Sequence, residues 1–123
     1  MSSQSPQETL VQSLSQLCVA EGVIVDPGIL FRSGDHFREL MKWNQTHNLT
    51  RISEPHEAAA FHYFDSLLPF SYIDEKLPQW ESLLDAGSGA GFPGFIAALK
   101  YPTREVILLD ASLKRCSFLR NTA

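Results

Sequence analysis

The stretch Asp85-Ala-Gly87-Ser-Gly89-Ala-Gly91-Phe92-Pro93-Gly94 constrains the fold of this chain more than any other. It follows Ser82-Leu-Leu-Asp-Ala86, a short apolar run that reads as a buried strand. Glycines spaced in this way let a backbone turn sharply off a strand and approach a ligand closely. Phe95 to Lys100 reads as a short helix, and Glu105-Val-Ile-Leu-Leu-Asp110 as a second buried strand. Ser112 then caps a helix carrying Leu113, Cys116, Phe118 and Leu119. Strand, glycine turn, helix, strand and helix is the opening of a parallel α/β domain.

Asp110 lies 23 residues beyond Gly87, at the end of the second strand. An acidic side chain there can accept hydrogen bonds from a ribose diol. Two cofactor classes use such a turn, dinucleotides and S-adenosylmethionine. The dinucleotide fingerprint requires a glycine where Phe92 stands, and it sets a pyrophosphate on the helix N-terminus. Phe92 therefore disfavours a nucleotide-dependent oxidoreductase. A glycine turn with no ligand is the structural alternative.

Upstream the pattern is helical. Ser5 caps a first helix, Pro6 fits its first position and Glu8 completes a capping box. Leu10, Leu14, Leu17 and Cys18 recur at helical spacing, and Gly22 is the expected stop. Asp26-Pro27 opens a second helix with Leu30, Phe37, Leu40 and Met41 as its apolar stripe; Gly28 and Gly34 weaken its first half. Residues 43–53 are rich in turn formers and read as a loop. Ser53 and Pro55 start a third helix with Ala58, Phe61, Phe64 and Leu68 on one face, ended by Pro69. The division expected is a helical part over 1–70, a polar connector over 71–81 and an α/β part over 82–123.

At 123 residues the chain has the size of about one domain, and its 44% hydrophobic and 20% charged residues are an ordinary globular composition. No run is long enough to span a membrane, and the first residues carry neither a basic start nor an apolar stretch, so a cytoplasmic location without a secretory signal is expected. Cys18 and Cys116 are read as buried thiols, and no Cys or His spacing suggests a metal. The net charge of −4 does not favour nucleic acid as a general partner. Residues 99–123 are locally basic, however, with Lys100, Arg104, Lys114, Arg115 and Arg120 against Glu105 and Asp110, and a local patch can contact phosphate.

Several blocks now combine. Trp43-Asn44, Asn48-Leu49-Thr50-Arg51-Ile52, His62 with Asp65-Ser66-Leu67, the run from Asp85 to Gly94, Leu109-Asp110, Lys114-Arg115 and Phe118-Leu119 resemble, in this order, the glucose-inhibited division protein B family. These are 16S ribosomal RNA guanine-N7 methyltransferases. The resemblance runs from about Phe37 to the last residue. It implies a helical N-terminal part followed by the start of a Rossmann-like S-adenosylmethionine-dependent methyltransferase domain, reached here only as far as the second strand and the helix after it.

The resemblance further implies S-adenosylmethionine as cofactor, bound by Gly87, Gly89 and Phe92, with Asp110 and Ser112 at its ribose and adenine side. Asp85 would lie near its cationic end. The implied partner is 16S rRNA in the 30S subunit, with no membrane and no metal. His62 and Asp65 share a helix face. They sit either at the cofactor mouth or as a polar pair anchoring the helix to 43–53. Trp43 is expected in the core, and Arg51, Lys114 and Arg115 are candidates for phosphate contact. N7 of guanine has a lone pair and no proton, so methyl transfer needs no general base, and no catalytic residue is named. Family members continue through further strands and helices, so a segment of this length is expected to bind cofactor weakly and to lack transfer activity by itself. A methyltransferase with another substrate, and an inactive fragment, are the alternatives.

Overall fold

The computed structural model describes residues 4–122. Its elements in chain order are α1 (Pro6–Ala20), α2 (Pro27–His47), α3 (Pro55–Ala58), a π-helical segment (Ala59–Phe64), α4 (Asp65–Lys76), β1 (Ser82–Ala86), α5 (Gly94–Lys100), β2 (Glu105–Leu109) and α6 (Leu113–Thr122). Helix α1 begins as its sequence dictates: Ser5 is extended, and its hydroxyl accepts the Glu8 N–H at 3.1 Å. Gly22, at φ +68°, follows the helix and lets Val23 N–H return to the Cys18 carbonyl. Asp26 caps α2 by accepting the Gly28 N–H at 2.7 Å. The two helices cross at Gly34, where a Cβ would lie 2.7 Å from a Val11 methyl. This glycine serves close packing rather than weakening the helix.

Three local readings need correction. Helix α2 does not stop at Trp43 but runs to His47, and Asn48 closes it in the left-handed region at φ 50°. The turn formers are compatible with this because Asn44 reaches past the helix end, its side-chain oxygen accepting the Thr50 N–H at 2.9 Å. The cap of α3 is Glu54 rather than Ser53; its carboxylate takes the N–H groups of His56 and Glu57.

The third correction concerns the face of that helix and its end. The π segment widens one turn and rotates the residues after it. Ala58, Ala59, Tyr63, Ser66, Leu67 and Phe70 are buried, while Phe61 is 66% exposed and Phe64 and Leu68 only partly covered. Pro69 does not end the helix either. It is the fifth residue of α4, which continues to Lys76, so most of the stretch read as a connector is helical.

β1 and β2 pair in parallel, Ser82 with Glu105 through Ala86 with Leu109. One core joins the helical part to α5: Leu10, Leu14, Phe37, Tyr63, Phe70, Ile96 and Ala97 lie in the same buried cluster. A second, formed by Leu40, Leu49, Ala90, Phe118 and Leu119, wedges α2, the glycine turn and α6 together. At the opposite end of the sheet, the Arg104 guanidinium lies 4.7 Å from the ring centres of both Trp80 and Tyr101, and the Tyr101 hydroxyl donates to Asp74.

Helices cover one face of the sheet, over Leu83, Asp85, Val106 and Leu108. On the other face Leu84, Ile107 and Leu109 are 61%, 46% and 55% exposed. Parallel strands are stable when both faces are covered, and an open apolar face invites association. The 123-residue chain is expected to self-associate through it at micromolar concentration. In size exclusion with light scattering, Leu84→Lys/Ile107→Lys should shift the population to monomer; a monomeric wild type, or an unchanged mass in the variant, would overturn this.

Candidate functional site

The carboxyl end of the sheet carries the glycine turn. Gly87, Gly89 and Gly91 have φ of 75°, 59° and 107°, values that side chains disfavour. The turn is tied down at both ends. Gly87 and Ser88 both donate their N–H to the Leu109 carbonyl, at 2.7 and 3.0 Å. The Ser88 hydroxyl is buried and donates to the Asp85 carbonyl at 2.7 Å, and the N–H groups of Gly91 and Phe92 return to the Ser88 carbonyl. Among the described residues, a Cβ built on Gly87 or Gly89 would meet no atom within 4 Å, so the outer side of the turn is open space.

Asp110 closes the turn from the next strand. Its Oδ2 accepts the Gly89 N–H and its Oδ1 the Ser112 N–H, each at 2.9 Å. These two bonds hold the carboxyl below its ordinary range, with Arg115 Nη1 3.9 Å from Oδ2 adding to the effect. Ser112 caps α6 as expected, its hydroxyl accepting the Arg115 N–H at 3.4 Å. The Cys116 thiol donates to the Asp110 carbonyl at 3.0 Å, so this cysteine is half-buried and engaged, whereas Cys18 is buried; both are free thiols. Asp85 points inward. One oxygen accepts the Gly94 N–H at 2.9 Å at the start of α5, and the residue is 8% exposed.

The sites named from sequence fall into two groups. Gly87, Gly89, Asp110 and Ser112 converge on one turn. Phe92 leaves it toward the helical part, its ring stacked on His62 with centroids 4.6 Å apart and 4° between planes, and set edge-on to His36 and Tyr63. His62 bonds the Thr50 hydroxyl at 2.9 Å, so it anchors the helix to the segment after α2. Burial lowers its pKa, opposed by the charge of Asp65. Trp43 is half-buried and packs edge-on to Phe118.

Sequence reasoning missed His36. It is 3% exposed and makes two hydrogen bonds, Nδ1 with the Tyr63 hydroxyl at 2.6 Å and Nε2 with the Ala90 carbonyl at 2.9 Å. Phe92, Phe95 and Phe118 surround it. Burial is the main cause of a pKa lowered to about 4, against the opposing bond to Ala90 and with a smaller contribution from His62. A signal was available: His36 is three residues after Ser33 and four before Leu40, inside the apolar stripe of α2.

The architecture defines a class, an α/β protein with helices packed on one face of a parallel sheet and a glycine turn at the sheet's carboxyl end. Residues 34–123 match the model of the rRNA small subunit methyltransferase G family, and the chain belongs to this family. It is 36% identical over 99 residues to ribosomal RNA small subunit methyltransferase G 3 of Bdellovibrio bacteriovorus, covering 80% of this chain and 45% of that protein. It is 38% identical over 88 residues to ribosomal RNA small subunit methyltransferase G of Staphylococcus haemolyticus, covering 72% and 36%. With ribosomal RNA small subunit methyltransferase G 1 of Syntrophobacter fumaroxidans the identity is 36% over 109 residues, covering 89% and 48%. The chain thus spans less than half the length of these relatives. Among the described residues no helix is long and apolar enough to cross a membrane, and no group of His, Cys, Asp and Glu could hold a metal ion.

Proposed function

We propose that this chain carries the S-adenosylmethionine-binding turn of a Rossmann-like domain, and the helical part packed on it, in an enzyme that methylates N7 of a guanine in 16S ribosomal RNA. The observation that supports this most is the family match across the glycine turn, combined with open space outside Gly87 and Gly89 and an acidic side chain at the end of the neighbouring strand. The division into a helical part over 1–70, a connector over 71–81 and the α/β part beyond belongs to the same reading.

Gly87 and Gly89 would let the cofactor lie against backbone. Asp110 already accepts two N–H groups, but each carboxylate oxygen has a second lone pair for a ribose hydroxyl. Ser112 follows it on the same side. Phe92 offers the cofactor only the part of its ring left free by His62, His36 and Tyr63. Held by Gly87, Gly89, Asp110 and Ser112, the cofactor would supply an electrophilic methyl group whose bond to sulfur breaks as the guanine N7 lone pair bonds to it. The chain's work is alignment, since no proton must be removed. Arg51, Lys114 and Arg115 are all exposed and suited to RNA phosphate in the 30S subunit.

Two measurements test this. In this chain extended with the remaining length of a family member, calorimetry should show S-adenosylmethionine binding that Gly87→Val abolishes, because valine both fills the space and opposes φ +75°. Equal affinity in a folded variant would remove Gly87 from the site. Deleting the coding sequence in the source organism should leave one 16S guanine unmethylated at N7, read by mass spectrometry of the rRNA. Unchanged methylation would overturn the substrate.

A further inference from the structure

The glycine turn has three supports. Two come from the end of the neighbouring strand, the Leu109 carbonyl and the Asp110 carboxylate. The third comes from a distant part of the chain. His36, 54 residues before Ala90 and on a different element, reaches the Ala90 carbonyl at 2.9 Å.

The donor order is dictated by chemistry. A carbonyl can only accept, so Nε2 carries the hydrogen and donates to Ala90. In the neutral ring Nδ1 is then an acceptor, and the Tyr63 hydroxyl must donate to it at 2.6 Å. Tyr63 is itself fully buried, and burial keeps its phenol protonated well above the ordinary range. The relay runs one way: Tyr63 O–H to His36 Nδ1, His36 Nε2–H to the Ala90 carbonyl.

The consequence lies in one peptide plane. The plane joining Ala90 to Gly91 points its C=O at His36 and its N–H at the Ser88 carbonyl, 2.8 Å away. Gly91, at φ 107°, has no side chain to resist a flip of that plane. A Cβ there would lie 3.4 Å from His36 Nε2, so the imidazole also packs directly on the glycine. Without the imidazole, the buried Ala90 carbonyl would have no donor from the described residues, and the plane would be held only by its N–H bond to Ser88. Gly89, just before Ala90, carries the N–H bonded to Asp110.

We infer that His36, oriented by Tyr63, is a positioning residue that fixes the Ala90–Gly91 peptide and so holds the glycine turn in the shape that receives the cofactor. This rests on the reading that the turn binds S-adenosylmethionine. The π segment has a role here, since it carries Tyr63 and His62 side by side. Tyr63 reaches His36, and His62 stacks on Phe92 just beyond the turn.

The test uses His36→Phe, His36→Gln, Tyr63→Phe and a packing control on the far side of the core, Phe70→Leu, each made in this chain extended with the remaining length of a family member and measured for S-adenosylmethionine affinity, melting temperature and exchange of the Gly91 amide. His36→Phe keeps a ring in the aromatic cluster and loses the donor. It should weaken cofactor binding about tenfold, the size of one lost hydrogen bond, and speed Gly91 exchange relative to core amides. His36→Gln keeps an N–H donor and should bind within about twofold of wild type. Tyr63→Phe should fall between. Phe70→Leu, packed on Tyr101 at the opposite end of the sheet, should lower the melting temperature and leave affinity unchanged. Wild-type affinity and Gly91 exchange in a folded His36→Phe would overturn the inference. Should that variant not fold, unchanged affinity and exchange in Tyr63→Phe would do so. Failure of wild type to bind S-adenosylmethionine overturns the cofactor reading instead; the role of His36 in shaping the turn then stands or falls on Gly91 exchange alone.

Discussion

Gly94→Ala is expected to cost the protein about 2–6 kcal/mol, a large share of its stability. A Cβ on Gly94 would fall within the Leu108 Cδ2 methyl and 2.9 Å from Asp85 Oδ2. The Leu108 methyl, at the end of a side chain that lines a cleft, can turn partly aside, but Asp85 cannot. Leu108 is on β2, packed against α5 and α6, and Asp85 is buried with that oxygen bonded to the Gly94 N–H. Overpacking a core position costs about 1–3 kcal/mol, and pushing Asp85 off its donor leaves a buried carboxylate short of a partner at about 1–3 kcal/mol more. Small domains hold only about 5–15 kcal/mol in total. Urea denaturation followed by circular dichroism should show the loss, and a midpoint within experimental error of wild type would sink the argument. The double variant Gly94→Ala/Leu108→Ala adds a sharper check. Leu108→Ala alone should destabilise, yet in the Gly94→Ala background it should cost much less, because it removes one of the atoms the new methyl strikes while the Asp85 contact remains.

That glycine sits in the part of the chain where sequence was most informative. Three glycines with positive φ, an acid before them and an acid on the next strand are a local pattern, and local chemistry is written in neighbouring residues. The cap at Ser5 and the stop at Gly22 were legible for the same reason. The features that sequence did not disclose depend on partners far along the chain. Asn44 looks like a turn former until its oxygen is seen to hold Thr50. Phe61 fits an apolar stripe at 3.6-residue spacing, but the π segment turns Tyr63 inward and leaves Phe61 in water. Nothing near His36 announces Tyr63 or Ala90, which lie 27 and 54 residues further on. Asp85 reads as a ligand-facing acid, and only the alternation of the strand against α5 shows its carboxylate turned to Gly94. The bare sheet face was foreseeable, because two apolar strands cannot cover each other on both sides.

Acid should destabilise this fold in a window that carboxylates do not explain. His36 titrates near 6.5 when unfolded and at about 4 when folded, because the folded site excludes water from the charged ring. Above pH 6.5 the ring is neutral in both states and contributes no pH dependence. Between 6.5 and about 4 the unfolded chain takes up a proton that the folded chain refuses, so stability falls as pH falls. The slope approaches about 1.4 kcal/mol per pH unit, and the loss reaches about 3 kcal/mol by pH 4. His62 acts in the same direction, since burial lowers it as well. Depressed carboxyls such as Asp110 lose their contribution only below the ordinary carboxylate range, so their effect begins where that of His36 ends. Arg32, Asp35 and Glu39 line the cleft of about 380 Å³ that opens beside His36, while Tyr63 and three phenylalanines face the ring itself. Urea midpoints measured from pH 7 to 4.5 should fall steadily for wild type. In His36→Phe the same curve should start lower and run flatter, leaving only the His62 component. Parallel curves for the two proteins would show that His36 does not carry the acid sensitivity.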